Sequence, residues 1–118
     1  MAIVSSHTLD SVNGTHAGGV GVELFRLDGS EPRVSLFKTQ TDAGGRLSQD
    51  VALNAASVDA RYELVFQTGP YFTNHPSAGL GGRIVEEIVV RFRMPDPDAR
   101  YHIPLMLAPN SCSVWWSD

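Results

Sequence analysis

Residues 86–94 read "EEIVVRFRM", and the apolar side chains return at every second position. Ile88, Val90, Phe92 and Met94 fall on one side, with Val89, Arg91 and Arg93 on the other. A helix repeats at 3.6 residues, so a period of two marks a half-buried strand. The same rhythm runs through "RYELVFQ" (61–67), where Tyr62, Leu64 and Phe66 alternate with Arg61, Glu63, Val65 and Gln67. "GVGVELFRL" (19–27) places Val20, Val22 and Leu24 on one face, and "RVSLFKTQ" (33–40) is a further β-branched and aromatic run. "AIVSSHTLD" (2–10) and "YHIPLMLA" (101–108) complete the set. Between them lie the turn-forming stretches "VNGTHAGG", "LDGSEP", "TDAGGR" and "MPDPDAR". Short strands punctuated in this way predict an all-β, antiparallel sandwich. Only "TGPYFTNHPSAGLGGR" (68–83) resists, and it suits a single helical turn and a loop bracketed by Pro70 and Pro76.

The 118 residues suffice for one core and not two, so one domain over residues 1–118 is expected. Hydrophobic residues at 42% and charged residues at 19% describe a folded globular chain. The net charge of −4, with no basic stripe, argues against nucleic acid as a partner. No run approaches the roughly 20 apolar residues of a membrane span, so no membrane partner is expected. One cysteine, Cys112, cannot form an internal disulfide, and "MAIVSSHTLD" lacks the basic start and apolar run of a secretory leader. A cytoplasmic location follows as the expectation. The four histidines, at positions 7, 16, 75 and 102, show no metal-ligand spacing, so no metal and no cofactor are expected. Nothing near Cys112 in sequence lowers its pKa toward that of a nucleophile.

The strand "YHIPLML" (101–107) carries the functional clue. Tyr101, Ile103, Leu105 and Leu107 form its core side, which leaves His102, Pro104 and Met106 on the other. An outer face with proline, methionine and imidazole in place of charges suggests cover by another subunit. Trp115 and Trp116 close downstream point the same way. Spacing alone leaves structural roles open. His102 suits an interface imidazole satisfied by a carbonyl, His7 a locally bonded strand residue, and Arg46 a solvated loop arginine.

Taken together and in order, these pieces resemble the 5-hydroxyisourate hydrolase family of transthyretin-like enzymes. "SSHTLDSVNGTHAGGVGVELFRL" is similar to the family's S-x-H-x-L-D opening, its small-residue turn and its G-V-x-V-x-L strand. "TDAGGR" resembles its T-D-x-x-G-R turn. "YELVFQTGPYF", "EEIVVRF" and "YHIPLMLAPNSCS" resemble its later strands. The resemblance runs from about residue 3 to the end. It implies a transthyretin-like sandwich of about eight strands with one short helix, assembled as a homotetramer built as a dimer of dimers. It also implies sites in the channel where dimers meet, with His7, Arg46 and His102 as catalytic residues.

The tail departs from the family. Where S-T-Y-R-G-S is usual, this chain has Ser113, Val114, Trp115, Trp116, Ser117 and Asp118. Trp115 keeps an aromatic wall without the phenol, Trp116 removes a cation, and Asp118 adds a carboxylate. The side-chain charge of the tail falls by about two units. Ser113, Trp115, Trp116 and Asp118 are the expected substrate-binding residues, and the changed tail suggests a changed small heterocyclic or aromatic substrate. Three functions are in view. The first is a hydrolase opening a cyclic amide by histidine-assisted water attack. The second is a family member repurposed as a cyclase, isomerase or ring-opening enzyme in specialised-metabolite biosynthesis. The third is a non-catalytic carrier of an aromatic ligand.

Overall fold

The computed structural model describes residues 1–27, 29, 32–54, 57–73, 75 and 83–117. Its organising strand is β1 (Ala2–Asp10), whose inward residues Ala2, Val4, Thr8 and Asp10 are all but fully buried. After β2 (Thr15–His16), the chain forms β3 (Gly21–Leu27), β4 (Val34–Gln40) and β5 (Arg46–Val51). A 3₁₀ turn (Ser57–Asp59) leads into β6 (Arg61–Gln67) and the helix α1 (Thr68–Thr73). Strands β7 (Ile88–Phe92), β8 (Arg100–His102), β9 (Leu105–Ala108) and β10 (Ser111–Val114) follow.

Two sheets face each other. One runs β4-β3-β6-β7, antiparallel throughout. The other is built on β1: β5 and β2 pair antiparallel to it, while β8 and β9 run parallel to it and β10 closes the edge on β9. Val22, Leu24, Leu64 and Phe66 of the first sheet meet Val4, Leu105 and Leu107 of the second, with Tyr62, Phe72 and Met94 sealing the ends. Each such side chain contributes about 1.5–3 kcal/mol by leaving water. The sandwich is thus the one the alternation predicts, except that β8 and β9 pair parallel with β1 where antiparallel strands were expected.

Ten strands form among the described residues, against about eight expected. One of the extra pair is the two-residue β2. The other arises because the run 101–108 is cut after His102, at Ile103 and Pro104. Proline has no N–H to give the ladder. Ser6 bridges the gap: its buried hydroxyl donates to the Ile103 carbonyl at 2.6 Å, while the Ile103 N–H donates to the Ser5 carbonyl at 2.9 Å. Pro70 sits in the first turn of α1, where a missing N–H costs nothing, and Pro76 lies outside the described residues. Among the described residues no helix is long and apolar enough to cross a membrane.

The far end of β1 is tied to α1 by a buried carboxylate. Asp10 accepts the Val12 and Asn13 N–H groups at Oδ1, and the Tyr71 hydroxyl (2.7 Å) and His75 Nε2–H (2.6 Å) at Oδ2. Burial by itself would raise the Asp10 pKa. The Tyr71, Asn13, His75 and Val12 bonds together outweigh it and hold the carboxyl below its ordinary value. The same contact, with burial, pushes the Tyr71 phenol up. Removing the carboxylate leaves these donors stranded. Asp10→Ala is expected to cost about 3 kcal/mol of stability in urea unfolding at pH 7. A depressed carboxylate stabilises above its unfolded pKa and loses that effect as pH falls through the folded value, so the gap between variant and parent should narrow in acid.

Candidate active site

Strand β1 has two faces, and the register of its neighbours decides what shares the outer one. Ser6, Thr8 and Asp10 point inward, so Ile3, Ser5, His7 and Leu9 point outward. Directly opposed residues in a ladder project to the same side. Arg46 opposes His7, Ser48 and His102 oppose Ser5, and His16 and Met106 oppose Leu9. Three groups far apart in sequence, His7, Arg46 and His102, therefore stand together on one sheet face.

The turn "TDAGGR" aims the arginine. Asp42 Oδ1 accepts the N–H groups of Gly44 and Arg46, both at 2.9 Å. Gly45 takes a positive φ of 77°, and a Cβ there would drive into the Thr8 carbonyl. The Gly45 carbonyl accepts the Thr8 N–H at 2.7 Å, which pins the turn to β1 one residue past His7. On the other flank, His102 Nδ1 is hydrogen-bonded to Ser5 Oγ at 2.8 Å. Ser5, Arg46, Ser48, Arg100 and His102 line a pocket of about 220 Å³. His7 stands at its side, with Nε2 hydrogen-bonded to His16 Nδ1 at 2.9 Å.

Both imidazoles are held below their ordinary pKa. For His102 the causes are burial, then the Arg46 and Arg100 guanidiniums. For His7 they are burial, Arg46 and His16, with a smaller push from His102, opposed by a hydrogen bond to the Gly44 backbone. Both rings are therefore mainly neutral at pH 7 and can accept a proton. Burial raises the Cys112 thiol, which suits a packing residue and not a nucleophile.

The tail is divided between two places. The Ser117 N–H donates to the His102 carbonyl at 2.9 Å in an antiparallel bridge, so Ser117 is the tail residue beside the strand histidine. Ser113 opposes Met106 on the same outer face, further along. Trp115 and Trp116 line a separate pocket of about 490 Å³ with Val90, Phe92, Tyr101 and Ile103, between β7 and the tail. Within one protomer the indoles are not walls of the Arg46–His102 pocket. Asp118 lies outside the described residues. Sequence reasoning missed Ser5, His16 and Ser117. Ser5 was readable, since a residue two before a strand histidine shares its face, whereas His16 depends on the register of the β1–β2 pair and Ser117 on the bridge to His102.

Comparison with known proteins identifies the family and the fold. The HIUase/transthyretin family matches residues 4–116. The 5-hydroxyisourate hydrolase of Halalkalibacterium halodurans is 35% identical over 113 residues, covering 95% of this chain and 94% of that one. Among solved structures, the 5-hydroxyisourate hydrolase of Klebsiella pneumoniae aligns with a TM-score of 0.74 at 28% identity, over 98% of this chain and 99% of that one. An (S)-allantoin synthase aligns at 0.81 with 29% identity over 99% of this chain, which spans only 44% of that one. With its sheets, its turn arginine and its two facing histidine strands accounted for, the chain belongs to the HIUase/transthyretin family.

Proposed function

We propose that the protein is a hydrolase that opens the ring of 5-hydroxyisourate or a close cyclic amide. The observation that carries this reading is the Ser5–His102–Arg46 arrangement around one small pocket. With Nδ1–H donated to Ser5 Oγ, the His102 ring keeps its lone pair on Nε2. Water gives a proton to that nitrogen as its oxygen bonds to the ring carbonyl carbon. Arg46 holds the negative charge that collects on the carbonyl oxygen. The C–N bond then breaks, and the imidazolium returns its proton to the departing nitrogen. His7 stands beside Arg46 as a neutral ring at the edge of this pocket. Because the indoles lie elsewhere in the protomer, the pocket itself retains the parts that ring opening needs. This favours hydrolysis over the carrier reading.

The same reading takes the chain as one domain over residues 1–118, in the cytoplasm, working as a tetramer of two dimers. Support for assembly comes from the edges. Strands β7 and β10 end their sheets on the side where the apolar pocket opens, and Val89, Val114, Trp115 and Trp116 are exposed there. Met106, 42% exposed, lies on the site's own face. Covering both surfaces would close the site from water.

Freshly generated 5-hydroxyisourate, followed by ultraviolet absorbance, tests the activity. The parent protein should exceed spontaneous decay, and a rate equal to decay would overturn the reading. His102→Asn and Arg46→Gln should each lose about 10²–10³-fold in kcat/KM. The pH profile has a definite sign: activity needs neutral imidazole, so it falls as pH drops through histidine values set below 6.5. Separately, Arg46→Gln removes a cation from both rings. NMR titration should then show the His7 and His102 midpoints moving up toward the ordinary value.

A further inference from the structure

His16 has no part in the site as the sequence presents it, yet its ring is hydrogen-bonded to that of His7. Strand β2 sets Leu9 opposite His16, so His16 lies on the outer face one ladder step beyond Arg46. The two rings stand 5.0 Å apart at 32°, with His7 Nε2 and His16 Nδ1 separated by 2.9 Å. That bond needs one protonated and one bare nitrogen. With His16 as the donor, the His7 lone pair is on Nε2.

We infer that His16 is a positioning residue for His7: its Nδ1–H occupies the Nε2 lone pair of His7 and keeps that ring neutral beside Arg46. A second proton on His7 would face His16 Nδ1–H head on. It would also face the Arg46 guanidinium from β5 and the His102 ring from β8. Met106 of β9, on the same face, brings no charge, and the Asp42 carboxylate in the turn is already engaged by the Gly44 and Arg46 N–H groups. Only the Gly44 carbonyl favours the cation. The effect on rate rests on the hydrolysis reading; the hydrogen bond and its effect on His7 do not.

The test therefore begins without substrate. In uniformly ¹⁵N-labelled protein, a scalar coupling across the N–H···N bond should connect His7 Nε2 with His16 Nδ1. In His16→Ala the His7 titration midpoint should rise. In His16→Lys, where a permanent donor stands at the same exposed position, it should stay low. No coupling in the parent, or an unmoved His7 midpoint in His16→Ala, overturns the inference. With 5-hydroxyisourate, His16→Ala should lose kcat/KM several-fold near pH 6 and match the parent at pH 8, with His16→Lys restoring the acid-side rate. An acid limb that stays put while the His7 midpoint moves would also overturn it. A parent protein no faster than spontaneous decay would instead count against hydrolysis, and the NMR measurements would then decide the histidine pair alone.

Discussion

The structure depends on the backbone ladder of β1. This strand is hydrogen-bonded along both edges, to β5 and β2 on one side and to β8 and β9 on the other. Its inward residues fix the register, because a slip by one position would send Val4, Thr8 and Asp10 into water and bring His7 into the core. Once that register is set, the outer face is no longer free to vary. His7 must meet Arg46, and Ser5 must meet His102. Packing on one side of the strand thus positions the chemistry on the other, with the Asp42–Gly45 turn pinned to β1 beside it.

What that face presents is the Arg46 and Arg100 guanidiniums against the His7, His102 and His16 imidazoles, with no carboxylate among the described residues hydrogen-bonded to the His7 or His102 ring. A cation beside histidine disfavours imidazolium, so the arrangement keeps proton acceptors at neutral pH and leaves charge stabilisation to arginine. The outer face of the other sheet contrasts with it. There Glu63 is held by Arg91 at 2.8 Å and by Arg33 at 3.3 Å, and Arg33 lies 3.9 Å above the Phe25 ring. Those charges neutralise each other, and the carboxyl sits below its ordinary value because Arg91 binds it. Opposite charges paired with one another give a solvated surface; arginine with no ion pair among the described residues, beside neutral imidazole, gives a reactive one.

The sequence made much of this legible because strand alternation is a local property. The core residues of β3, β6, β7 and the 101–107 run are those the period of two assigns. The outward direction of His102 follows from Tyr101 and Ile103 facing in. Pairing partners are a different matter. That β8 and β9 lie parallel to β1 and that Ser6 spans the gap left by Pro104 are consequences of contacts between distant segments, and His16 reaches His7 through the register of the β1–β2 pair. The position of the tail within one chain depends on such contacts too. Two tryptophans near the expected site suggest its walls, but the bridge puts Ser117 at His102 and the indoles in another pocket.

The placement of the indoles has a physical consequence for the whole molecule. Trp116 is 66% exposed and Trp115 is 43% exposed, at the rim of an apolar opening between two sheet edges. Side chains of this size each bury roughly 150–250 Å² when covered, a gain of several kcal/mol apiece at about 25 cal/mol per Å². Unpaired edge strands β7 and β10 flank the same opening and offer backbone donors and acceptors to a further strand. Apolar and polar incentives therefore coincide along one side of the sandwich, while the histidines occupy the outer face of the β1 sheet. A chain with this tail can strengthen its association at the edge without altering the pocket where Arg46 and His102 meet. In the proposed tetramer the tryptophans act on assembly first, and on chemistry only through it.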